Sequence, residues 1–342
     1  MKGFKHSLLT LLIIHVIFVG CFSGSSGDKH EIVLKGNLEL KGADKIYFYS
    51  YKDSIDFFLA RKSALDSALI ESNGDFSFNI PSNNSLVFSL QFGSSDLVSN
   101  MILLPGDQLE FKFSGEENKP VIVSEGEASL FSSFLLQFTH KFYKEQGIKK
   151  EYYIASNYMD IKTYEKYLDK RQQQMLDDYE VFFSDVSLRK EYHDYALNTI
   201  KYEIASDKLM YLWKKRMKGE SAHPDSGYLA FATPEFIEND EAFITPSYIR
   251  FLNLYLNEIY TRKLETGQLG DINSQPVIPT LEKYKLANKV FKGRFRQALL
   301  CNILSDDVKD SGNGQVKHHS VTTLDSLLYL FKEKYGTAVI SN

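Results

Sequence analysis

The sequence predicts an α+β protein, with an N-terminal antiparallel β-sandwich followed by an all-helical domain. Two periodicities carry this. Apolar residues recur at every second position up to about residue 123, and at helical spacing from Glu127 onward. Turn chemistry agrees, since Asn73-Gly74 and Pro105-Gly106-Asp107 punctuate the first region. The 342 residues are 43% hydrophobic and 25% charged, an ordinary globular composition long enough for two domains. With 25 phenylalanines and 21 tyrosines against one tryptophan, the core should be aromatic-rich.

Residues 1–20 read as a lipoprotein signal peptide. Lys2 and Lys5 form a positive start, and Ser7 to Val19 is an apolar run too short to span a membrane. Phe18-Val19-Gly20-Cys21 then resembles a bacterial lipobox, with Phe18 standing where leucine is usual. That resemblance implies cleavage before Cys21 and its acylation. Two or three acyl chains anchor stably, because each buried methylene contributes about 0.8 kcal/mol. Residues 21–29, with Ser23-Gly-Ser-Ser-Gly27, form a flexible tether.

The sandwich is expected over 30–125. Ile32, Leu34, Leu38 and Leu40 alternate about Gly36, and Lys45 to Tyr51 is β-branched and aromatic. Asn73-Gly74 is the strongest hairpin signal, expected as a type I′ turn. Phe76, Phe78 and Ile80 alternate behind it, and Pro81 closes the strand. Leu86 to Phe92, Met101 to Leu104, and Leu109 to Phe113 supply further strands. The acidic excess of the chain lies in this region and reads as solvated surface.

The helical domain is expected over 126–336, with a tail at 337–342. Phe131, Phe134, Leu135, Phe138 and Phe142 mark one helix face. Ile161 to Phe182 and Leu188 to Met217 follow. Lys214, Lys215, Arg216 and Lys218 complement the negative end of the latter, and Gly219 stops it. Thr245-Pro246 reads as an N-cap with proline at the first helical position. Leu281 to Leu304 is helical, broken near Gly293, and Ser311 to Gly314 reads as a turn. Leu324 to Tyr335 makes the last helix, stopped by Gly336.

No G-x-S-x-G, H-E-x-x-H, P-loop or G-x-G-x-x-G occurs. Glu203 and Asp207 lie one helical turn apart and read as a solvated face rather than a catalytic pair. His318-His319 reads as a surface pair, and His140 and His193 show no ligand partner. Cys301, mid-helix among apolar residues, reads as a core thiol. A net charge of −4 offers nothing to nucleic acid. No cofactor, metal or catalytic residue is expected. Cys21 is the one expected functional residue.

Five phrases together carry a family resemblance. They are Asn73-Gly-Asp-Phe-Ser-Phe78, Leu104-Pro-Gly-Asp107, Val123-Ser-Glu-Gly-Glu127, Tyr248-Ile-Arg-Phe-Leu252 and Lys292-Gly-Arg-Phe-Arg-Gln-Ala-Leu-Leu300. The chain resembles the TlpA-type thioredoxin-like lipoproteins of Bacteroidetes. The resemblance implies a small N-terminal β-sandwich, a helical middle region and a C-terminal thioredoxin domain. That last domain is not expected here: no Cys-x-x-Cys occurs, and the chain stops just after its last predicted helix. The expectation is therefore a non-catalytic envelope lipoprotein, facing the periplasm, membrane-held through Cys21, that binds or scaffolds an envelope protein. A split thiol-disulfide oxidoreductase with a missing or separately encoded thioredoxin is one alternative. A glycan-capture lipoprotein is another.

Overall fold

The computed structural model describes residues 31–38, 45–114, 119–220, 227–269, 278–312 and 321–336. The leader, Cys21, the tether, His318-His319 and the 337–342 tail lie outside the described residues.

Among the described residues, eight strands form two four-stranded sheets. They are β1 (Glu31–Leu38), β2 (Lys45–Ser50), β3 (Ser63–Leu69), β4 (Asp75–Pro81), β5 (Leu86–Phe92), β6 (Ser95–Leu103), β7 (Gln108–Ser114) and β8 (Lys119–Ile122). One sheet has the order β4-β1-β7-β8, the other β3-β2-β5-β6. Alternation explains the layering. Ile32, Leu34, Phe76, Phe78, Phe111 and Phe113 are buried from the first sheet, and Ile46, Phe48, Phe88 and Leu90 from the second. The rings of Phe48 and Phe78 lie 5.6 Å apart, so the two sheets share one core. Gly36 permits a close approach, since a Cβ there would sit 2.3 Å from the Phe76 ring.

Two expectations need correction. The first sheet is mixed, because β1 and β7 pair in parallel with Leu34 opposite Leu109, while the other pairs are antiparallel. A parallel pair needs a long crossover, and the whole run β2–β6 supplies it without a βαβ unit. The Asn73-Gly74 turn also joins no hairpin, because β3 pairs with β2 and β4 with β1. Gly74 takes φ +90 but Asn73 does not turn positive, so the turn is not type I′ and instead passes the chain between sheets. The tight hairpin lies at Gly93-Ser94, between β5 and β6.

The helices are α1 (Ser54–Phe58), α2 (Glu127–Thr139), α3 (Gln146–Tyr158), α4 (Ile161–Phe182), α5 (Lys190–Met217), α6 (Pro234–Ile237), α7 (Pro246–Glu265), α8 (Pro279–Val290), α9 (Gly293–Gly312) and α10 (Val321–Tyr335). A π-helical turn, His140–Lys144, continues α2. The α+β architecture stands. Ser311 and Gly312 close α9, and the rest of the turn expected over Ser311 to Gly314 lies outside the described residues. One apolar cluster runs from the sandwich into α2, α4 and α5, and a second joins α1 and α5 to α7–α10. Helix α5 is common to both, giving Ile200 and Ile204 to the first and Tyr202 and Leu209 to the second.

A charged clasp fixes α5 to the sandwich. Asp107 is buried, and its carboxylate accepts from the Leu104 amide at 2.6 Å, from the Tyr192 hydroxyl and from Arg189. Arg189 Nε also donates to Glu127 at 2.6 Å. The phrases Leu104–Asp107 and Val123–Glu127 thus meet at this seam.

Candidate functional site

A cleft of about 1480 Å³ opens where the sandwich meets α2, α4 and α5. Seven consecutive residues, Ser95–Met101, line it. A sheet face presents only every second residue, so β6 meets the cleft with its edge. Strand β6 ends its sheet, and among the described residues it pairs only with β5. The pairing is irregular twice, at Phe88/Leu90 and Leu90/Gln91. Asn100 has φ +55, and its carbonyl accepts from the Tyr195 hydroxyl at 3.1 Å. The opposite wall is the end of α2 with the π-turn. Tyr195, Thr199 and Glu203, spaced i, i+4, i+8 on one face of α5, supply the floor with Pro246 and Ser247 of α7.

The floor corrects the reading of Glu203 and Asp207. They do not face solvent, since their side chains are 15% and 6% exposed. Both lie one turn apart on α5, but α3, α4 and α7 cover that face of the helix. Arg250 bridges the two acids, with Nη1 3.1 Å from Glu203 and Nη2 3.7 Å from Asp207. Arg171, buried, reaches Asp207 at 3.9 Å, and the Tyr152 hydroxyl donates to it at 2.9 Å. Burial pushes both carboxyls above their usual range, and the arginines only partly offset this.

Asp207 lies behind the floor, while Glu203 reaches the cleft. The two therefore do not flank an open space, as a substrate-facing acid and base would. Beside Glu203 the Tyr143 hydroxyl is buried and faces that carboxylate; burial first, and the neighbouring acids after it, raise its pKa well above normal. The Ser247 and Thr245 hydroxyls are buried and unbonded. Thr245 does occupy the N-cap of α7, as expected, but its hydroxyl makes no capping bond.

Other sequence candidates fall elsewhere. His193 exchanges a 2.6 Å bond with the Tyr179 hydroxyl, and exposed His140 sits on the cleft rim. Cys301 is 1% exposed in α9, and burial pushes its thiol pKa up. The basic residues ending α5 are separately engaged, Lys214 with Ser156, Lys215 with Glu220, Arg216 with Glu258 and Lys218 with the Asn157 carbonyl. Exposed Tyr153 and Tyr158 meet edge-on at 72°, which is not the flat platform a sugar ring stacks on. Among the described residues, no three His, Cys, Asp or Glu side chains gather to hold a metal, and no helix is long and apolar enough to cross a membrane.

Comparison with protein-family models, curated proteins and solved structures returns no match.

Proposed function

We propose that the chain is a non-catalytic, lipid-anchored protein of the cell envelope that faces the periplasm and binds a partner in the cleft. Cys21 holds it to the membrane. The cleft supports the binding role. Its volume of about 1480 Å³ exceeds the roughly 300–1,000 Å³ usual for small-ligand pockets, and one wall is the edge of a strand. The charges beneath it are paired with one another, which supports a binding role over proton transfer.

The test has two arms. Cys21→Ala should lose palmitate labelling and leave the membrane; persistent labelling would sink the anchor. A photo-crosslinking residue replacing Gln137, exposed on the cleft wall, should give a defined adduct in cells. The same residue replacing Asp66, exposed on β3, should not. Equal adducts at both positions, or none at Gln137, would sink the cleft as the binding site.

A further inference from the structure

We infer that the occupant of the cleft is an extended polypeptide segment of a partner protein, added as a strand along the β6 edge between Ser95 and Ser99. The inference rests on the cleft being the binding site.

A strand edge carries backbone N–H and C=O groups at alternating positions, and another backbone matches that pattern. Ser95–Met101 meet the cleft consecutively, which places the edge, not a face, against the occupant. Uncontrolled pairing along such an edge leads to aggregation, and bulges are a common safeguard. Here β6 bulges at Leu97 and again at Ser99-Asn100, where Asn100 has positive φ, so the edge is bent and only short stretches of it are open to pairing. Tyr195 takes the Asn100 carbonyl and so marks their end.

Charge favours the same occupant. Glu203 and Asp207 face Arg250 and Arg171, Lys141 pairs with Asp178 at 2.6 Å, and Lys62 with Asp96 at 3.3 Å. A matched site disfavours a ligand with net charge and suits a neutral backbone. The Ser247 hydroxyl, on a residue 3% exposed at the floor, lacks a bond. A leftover hydroxyl in such a place is expected to meet a ligand group. A neutral polar side chain of the segment, an amide or a hydroxyl, would satisfy it.

The experiment uses the mature chain in detergent and a phage-displayed library of twelve-residue peptides. The tightest peptide is remade with backbone N-methyl groups on its odd or its even residues. One pattern should weaken binding by about tenfold or more, and the other by less than about twofold, because only alternate amides face a partner strand. Amide hydrogen exchange should slow at residues 95–99, and Ser247→Ala should weaken peptides bearing an amide side chain. Equal sensitivity to both methylation patterns, or protection elsewhere, would overturn strand addition. If no peptide is enriched while Gln137 still gives its adduct, the cleft stands and the strand is wrong. If neither is seen, both readings fall.

Discussion

Glu258 and Asp207 are equally hidden, on neighbouring helices, yet burial acts on them with opposite outcomes. Glu258 of α7 accepts from Arg216 at 2.5 and 2.9 Å and from Arg262 at 2.7 Å. Burial pushes its carboxyl up, but these direct bonds outweigh it and hold the pKa below the usual range. Asp207 of α5 has its arginines no nearer than 3.7 Å and one bond from Tyr152, so burial wins and the carboxyl is raised. Desolvation is large in both places; bidentate geometry decides which way the balance falls. The tight cluster ties the end of α5 to α7 and reads as structural. The loose one lies beneath the cleft, where its arginine still reaches solvent.

The comparison breaks most visibly at Arg216. Arg216→Met should leave buried Glu258 with Arg262 alone, removing its bidentate pair, and cost about 3 kcal/mol, measured by urea unfolding at neutral pH. A loss below about 1 kcal/mol would mean that Glu258 is no more committed to its partner than a surface acid.

Arg250→Met should cost less, about 1–2 kcal/mol, because the arginine side chain is 40% exposed and part of its pairing is screened. The penalty should shrink on acidification, since Glu203 and Asp207 sit nearer to neutralisation and can take up protons when the arginine is gone. A cost that matches Arg216→Met and ignores pH would erase the distinction between the clusters.

What the sequence makes legible follows from how local each cause is. Strands β1, β2, β4 and β7 bury alternate residues, and that pattern is written along the chain. Strand β3 is an edge that exposes most of its side chains, so Ser63–Leu69 carries no alternation to read. The first part of β6, Ser95–Asn100, is mostly polar apart from Leu97 and buried Val98, and it forms the cleft wall. Only the Gly93 turn ahead of it could have flagged it, and that signal is weaker than the Asn73-Gly74 one that pointed elsewhere. Arg250 lies within Tyr248–Leu252 and Arg294 within Lys292–Leu300, phrases that stood out in the sequence. Their partners, Glu203 and Asp240, are 47 and 54 residues away, which no local pattern discloses. The burial of Asp207 depends on three helices arriving from elsewhere, so i, i+4 spacing alone could not separate a buried pair from a wet one.

The smallest effect is the sharpest, because its sign differs between the clusters. For Asp207 the folded pKa lies above the unfolded one, so between the two values the native state binds more protons. Its contribution to stability is then fullest below the ordinary aspartate range, about pH 4, and is lost as pH rises through the raised value. For Glu258 the folded pKa is depressed, so its contribution is present above the ordinary glutamate range and is lost as pH falls through the depressed value. Asp207→Asn and Glu258→Gln remove one titration each while keeping shape. Other carboxylates give every variant a common acid slope, so the quantity to read is each variant's difference from wild type between about pH 3 and pH 8. For Asp207→Asn the difference should shift in the variant's favour as pH rises. For Glu258→Gln it should shift against the variant over the acidic part of the range. Differences of the same sign would mean that the loose arrangement under the cleft binds its charge as firmly as the clamp at the far end of α5, and the division between a structural cluster and an adjustable floor would be lost.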